Sequence, residues 1–238
     1  MGRGPSIENR KNAEDARRGK VFTKLIREIT IAARNGGDPA TNARLRMGVD
    51  KALSANMTKD TIERAIRRGS GAEGADNMQE LRYEGYGPAG VALIIDAMTD
   101  NAQRTVADVR HALAKHGGNL GTSGSVAFQF KKIGELAFAT SKPGAEDQVL
   151  EIALDAGADD VQSEAGETLV LCTPETFEAV KKALTAAGFE PLRADVVMRP
   201  ENRVAVSGEV GETLRDLIEW LEELDDVQEV YHNADLPG

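Results

Sequence analysis

The sequence predicts a multidomain α+β chain: an N-terminal helical bundle followed by two ferredoxin-like α+β domains, one inserted in the other. Three observations predict it. Apolar residues recur with helical spacing up to residue 69 and with strand patterning from residue 81 onward. The later segments follow the order β-β-α-β, then β-α-β-β-α-β, then a β-α-β tail. Charge divides at the same place. Residues 1–70 hold 16 Lys+Arg and 8 Asp+Glu, net +8, while the remaining 168 hold 13 and 31, net −18.

Four short helices fit the basic end. The first covers about 9–18. The second, about Lys20–Asn35, places Val21, Phe22, Leu25, Ile26, Ile29, Ala32 and Ala33 on one side at 100° per residue. Lys20, Lys24, Arg27 and Arg34 fall opposite, interrupted by Ile31. Gly36 can end this helix in a left-handed conformation. Asp38 as N-cap with Pro39 at the first position begins the third, which carries an apolar stripe of Leu45, Val49, Ala52 and Leu53. The fourth starts behind Thr58, buries Ile62, Ala65 and Ile66, and stops at Gly69.

From Leu81 the pattern changes. Leu81–Tyr86 and Val91–Met98 read as strands around a Gly87-Pro88-Ala89-Gly90 turn. A helix at about 102–115 and a strand at Val126–Phe130 follow. The second series runs strand Glu135–Ala139, helix 145–156, strands 159–163 and 168–172, a helix from Thr173-Pro174 to Gly188, and strand Leu192–Met198. This is the split βαβ order of ferredoxin-like domains. Residues 199–202 read as a connector. The tail offers strand Val204–Val206, helix 211–224 and strand Val227–His232, and cannot bury its apolar face alone. The expected division is 1–78 for the helical domain, 79–132 with 204–238 for a discontinuous α+β domain, and 133–203 for the inserted one.

Composition bounds the function. The longest aliphatic run, Val91–Ile95, is far too short to span a bilayer. The N-terminus lacks the apolar region of a secretory signal, and Glu8, Glu14 and Asp15 argue against a transit peptide. Met1-Gly2-x-x-x-Ser6 matches the bare myristoylation pattern, a short motif that recurs by accident. A single cysteine, Cys172, excludes an internal disulfide and a cysteine zinc site. Its setting reads as a buried strand, and a reducing cytoplasm is the natural compartment.

No catalytic constellation, cofactor motif or metal site is expected. The loop His116–Ser125 lacks the lysine of a phosphate-binding loop and follows a helix instead of a strand. His111 and His116 are five apart and do not share a helix face as i, i+4 ligands would. His232 lies in a strand. The pairs Asp159-Asp160 and Asp225-Asp226 sit at helix–strand junctions and read as solvated.

A basic module on an acidic body points to a polyanion. The expected nucleic-acid contacts are Arg10, Lys11, Arg17 and Arg18, then Lys20, Lys24 and Arg27, then Arg64, Arg67 and Arg68. Such residues bind phosphate by Coulomb attraction and counterion release. No zinc-finger spacing, zipper heptad or RNA-recognition aromatic signature accompanies them. Tyr83 and Tyr86, with His116 and Asn119 in the glycine-rich loop, are candidate partner contacts.

At these residues the chain resembles the YebC-type family. Arg10-Lys11, then Asp15 through Glu28, looks like its N-terminal signature. Asp50–Leu53, Arg82–Pro88, Arg104–His111, Lys115–Gly121, Gly124–Ala127 and Asp226–Asn233 continue the resemblance over nearly the whole chain. It implies one helical and two α+β domains in a cytoplasmic protein described in bacteria as a DNA-binding transcriptional regulator. A mitochondrial relative is a translational activator. Members are also associated with ribosomes and with difficult proline-containing stretches. Ribosomal RNA is thus an alternative partner to DNA, and a ligand- or protein-binding regulatory module is a third reading. The start departs from the pattern. Where relatives read Gly-His-Ser-Lys-Trp, this chain has Gly2-Arg3-Gly4-Pro5-Ser6.

Overall fold

The structure, a computed structural model, describes residues 7–74 and 77–237, with side chains from residue 14 onward. It divides into two compact units, residues 1–126 with 205–238, and residues 127–204.

The first unit opens with α1 (Ile7–Ala33), a single helix of 27 residues and about 40 Å. Two helices separated at Gly19 are expected from the sequence, but Gly19 lies inside the helix. A glycine there costs about 1 kcal/mol relative to alanine and does not break a helix whose later turns pack well. The next helix also begins later than expected. Asp38-Pro39 forms a turn, with the Asp38 carboxylate accepting from Ala40 N at 2.9 Å. Asn42 is the N-cap of α2 (Ala43–Ser54). Its Oδ1 accepts from Leu45 N at 3.1 Å, and its Nδ2 donates to Ala32 O and Gly36 O at 2.7 and 2.8 Å. One amide thus satisfies carbonyls at the end of α1 and a donor at the start of α2. α3 (Lys59–Gly69) is capped by Thr58 as expected. Ile29, Ala32, Leu45, Ala52, Met57 and Ile62 form the core of this helical end.

β1 (Gln79–Tyr86) and β2 (Ala92–Thr99) pair antiparallel from Gln79↔Thr99 to Tyr86↔Ala92. Ala89, at φ 59, makes the turn between them. α4 (Ala102–Lys115) and the two-residue β3 (Asn119–Leu120) follow.

The second unit begins where a strand was expected at 126–130. Residues Ala127–Gln129 form one 3-10 turn instead, and β4 (Phe130–Ala139) runs through the expected domain junction at 132/133. The exposed pair Lys131-Lys132 suggests a break, yet Lys131 pairs with Arg199 and Lys132 with Met198. Next come α5 (Ala145–Asp155), β5 (Asp160–Glu164) and β6 (Glu167–Cys172). α6 (Phe177–Ala186) starts after a turn at 174–176, so Thr173-Pro174 does not cap it. β7 (Pro191–Pro200) takes in two residues of the expected connector. The sheet order is β5-β6-β4-β7 with all pairs antiparallel, the ferredoxin-like arrangement. A Cβ on Gly134 would lie 2.7 Å from Phe177 and from the sulfur of Cys172, which shows how closely α6 seats on β4. Cys172 is buried, and burial pushes its thiol up, consistent with a packing role.

The chain then returns to the first unit through β8 (Val204–Ala205), α7 (Gly208–Glu223), β9 (Val227–His232) and β10 (Ala234–Asp235). β9 joins the sheet β3-β1-β2-β9. α4 and α7 cover one face, closing a core of Leu93, Ile95, Val109, Leu113, Leu214 and Leu217. Among the described residues no helix is long and apolar enough to cross a membrane.

Candidate nucleic-acid interface

The sequence places ten cations in one candidate interface, and the structure sorts them into three groups. Arg10 and Lys11 lie on the first turns of α1, and their side chains fall outside the described residues. Arg17 and Arg18 are exposed, with the Arg18 guanidinium 5.2 Å from the Phe22 ring. This cation–π contact sets the side chain without neutralising it.

Arg64, Arg67 and Arg68 are exposed at the far end of α3. Arg64 pairs with Asp60 at 3.0 Å and Arg67 with Glu73 at 3.1 Å, both at the surface. Solvent-exposed pairs of this kind break readily for a better anion. Arg68 is the exposed cation of the trio with no ion pair among the described residues. Gly69 abuts Thr30 and Ala33, so this group sits by the C-terminal end of α1. About twelve helical residues, or about 18 Å, separate it along the axis from Arg17 and Arg18. The two exposed groups are therefore distinct contact points.

The middle group is not a free face. Lys20 pairs with the Glu223 carboxylate, and Lys24 Nζ donates to Glu222 O at 2.7 Å. Arg27 donates to Met98 O, Asp225 O and Asp226 Oδ1 at 2.8, 2.8 and 2.9 Å. These cations meet the C-terminal end of α7, where unsatisfied carbonyls and the helix dipole favour positive charge.

Asp226 is the centre of this junction. It is 6% exposed, so its expected solvation as one of a surface pair is wrong; only Asp225 is exposed. Its carboxylate also accepts from Arg104 Nε and the second Arg104 nitrogen at 3.1 and 3.0 Å, and from Thr105 Oγ1 at 2.9 Å. Burial works against its charge, but the Arg104, Arg27 and Thr105 donors win and hold the carboxyl below its ordinary value. Sequence reasoning missed Asp226 and Arg104 because the partners lie 199 and 122 residues apart.

The second candidate surface is built into the scaffold. Glu84, 4% exposed, accepts from Gly124 N and from Val126 N, the latter at 3.0 Å. Tyr86 donates to Ser125 O at 3.2 Å, and Asn119 belongs to β3, opposite Tyr86. Tyr83 is half-buried against the core under α4 and α7. Gly118 is needed here, since a Cβ would lie 2.3 Å from Tyr86 O. The glycine-rich loop is thus a fixed clasp on β1. Glu84→Ala would orphan two loop N–H groups and is expected to cost about 2 kcal/mol, with faster amide exchange at Gly124 and Val126 as the readout.

His116 and His111 present ring contacts to Trp220 at 5.5 and 6.0 Å between centroids, and the Lys115 ammonium lies 4.5 Å from the Trp220 ring. A depression of about 460 Å³ lies beside them, lined by His116, Asp216, Glu219, Trp220, Glu223 and Leu224. Among the described residues no group of three or more His, Cys, Asp or Glu side chains is arranged to hold a metal ion.

A positively charged helical end attached to antiparallel α+β sheets defines a class of multidomain α+β proteins. Residues 4–72 match the sequence profile of the TACO1/YebC protein N-terminal domain, and residues 78–234 that of the TACO1/YebC second and third domain. The chain belongs to the TACO1/YebC family. It is 57% identical over 238 residues to a "probable transcriptional regulatory protein" of Xanthomonas campestris pv. campestris strain B100, covering 99% of this chain and 98% of that protein. A protein of the same description from Stenotrophomonas maltophilia strain K279a is 56% identical over 241 residues, with the same coverage. The crystal structure of a conserved hypothetical protein from Aquifex aeolicus aligns with a TM-score of 0.84 at 41% identity, covering 94% of this chain and 93% of that one.

Proposed function

We propose that this protein is a non-enzymatic, nucleic-acid-binding regulator of gene expression that acts on DNA through its basic helical end. The observation that carries the reading is the net +8 of residues 1–70 together with exposed arginines at two points, Arg17 with Arg18 and Arg64 with Arg67 and Arg68. The description of the Xanthomonas and Stenotrophomonas relatives as transcriptional regulators supports DNA as the polyanion. The exposed groups suit phosphate contact, which sets affinity and register without reading bases.

Electrophoretic retardation of promoter DNA against random DNA and ribosomal RNA tests this. The proposal expects retention of DNA in preference to ribosomal RNA at physiological salt. Preference for ribosomal RNA would make the protein a translation factor, and no retention of any of them would end the nucleic-acid reading. Neutralising Arg64, Arg67 and Arg68 together to glutamine should flatten the plot of log K against log salt by up to about 2.7, at about 0.9 per phosphate contact. An unchanged slope would remove this group from the interface.

A further inference from the structure

The C-terminal end of α7 covers the middle cations of α1. It offers α1 a row of carbonyl and carboxylate oxygens, spaced along the same face that carries Lys20, Lys24 and Arg27. We infer that this end is an internal competitor of the nucleic-acid backbone, so that Lys20 and Lys24 join the interface only when it lets go. The inference rests on the reading of the basic helical end as a nucleic-acid binder, and it adds the regulation of that site.

The junction is unequal along its length. At its inner end Arg27 reaches the buried Asp226, where Arg104 and Thr105 complete the carboxylate's partners. At its outer end the Lys20–Glu223 pair is solvated, with side chains 38% and 60% exposed. Exposed pairs are screened by salt and easily exchanged. The Lys24 contact between them is poorly compensated. Burial draws the Lys24 ammonium below its ordinary value despite nearby Glu222, Glu229 and Glu223. Burial also raises the Glu222 carboxyl, with Lys24 only partly offsetting it. Both shifts run toward the neutral form, and Lys24 meets the Glu222 main-chain carbonyl while the Glu222 side chain stays exposed. A polar cleft of about 620 Å³ borders Lys20, Arg27, Glu223 and Asp226 and gives water and ions access to this rim. The outer cations can therefore exchange partners while Arg27 holds the inner end.

The test neutralises the competitor in the full chain with Glu222→Gln and Glu223→Gln together. A control pair, Glu209→Gln with Glu212→Gln, removes the same charge from the opposite end of the same helix. That end is about 15 Å or more away along the axis, nearly two Debye lengths at physiological salt. Binding to a mixed-sequence DNA duplex is measured by fluorescence anisotropy across a salt series. Lys24 keeps the Glu222 main-chain carbonyl, so one newly available cation, Lys20, should steepen the slope by about 0.9, and a fourfold rise in salt costs the variant about 3.5-fold more affinity than the wild type. The gain at low salt should disappear when Lys20→Gln and Lys24→Gln are added. Equal effects of the two acid pairs, or a gain that survives loss of both lysines, would overturn the inference while leaving nucleic-acid binding intact. If neither the wild type nor any variant binds, the functional reading falls and this one with it.

Discussion

Asp226→Ala is expected to destabilise the protein by about 3 kcal/mol, measured as a lower urea midpoint. The carboxylate joins α1, α4 and the segment between α7 and β9 through Arg27, Arg104 and Thr105. Removing one partner of a buried ionic group leaves the others desolvated without compensation, which is costlier than never having built it. Asp226→Asn keeps an acceptor and loses the charge, so its cost should be smaller at neutral pH. The sign of the pH effect follows from the lowered carboxyl. Its stabilisation is fully present above the unfolded value, near 3.8, and is lost as pH falls through the still lower folded value. The gap between wild type and Asp226→Asn should therefore stay level from neutral pH to about 5 and close below about 4. A gap that closes near neutrality instead would mean that another group carries the effect.

Gly69→Ala is the second large effect. A Cβ there would lie 2.0 Å from Thr30 O and 2.9 Å from the Ala33 side chain, so α1 and α3 must separate. The obstacle is helix backbone, which cannot rotate aside as a side chain can. A loss of about 2–4 kcal/mol is expected, above the usual range for overpacking because the clash is with main chain. Gly19→Ala is the matched opposite. Its Cβ would meet nothing within 4 Å inside a helix, and a gain of about 0.5–1 kcal/mol is expected. Thermal melts of the two variants should move in opposite directions, and a stabilised Gly69→Ala would contradict the close crossing.

Local patterning made most elements legible. The helical spacing behind Thr58, the apolar run of β2 after the Gly87–Gly90 turn, and the segment at 102–115 all depend on contacts close in sequence. Two misreadings share a cause, a strong local signal overridden by packing. Gly19 looks like a stop and Asp38-Pro39 like a helix start, yet α1 runs through the first and Asn42 takes the capping role from the second. The candidate site was legible only as charge. Composition located the basic end, but an unpaired Lys24 and a docked Lys24 are spelled the same way. Its partner on α7 is 198 residues distant. Nothing in the periodicity of α1 indicates which oxygens will meet it. Asp226 failed for the same reason, since paired acids at a helix end look solvated until two arginines from elsewhere in the chain arrive.

Chain order gives this junction a timetable. Lys20 and Glu223 are 203 positions apart. At about 5–20 residues per second of synthesis, α1 emerges roughly 10–40 s before the segment that covers it. Throughout that interval the nascent protein carries an uncovered basic helix while still attached to a particle rich in phosphate. The basic helix is thus open to any polyanion before the last turn of α7 exists to cover it.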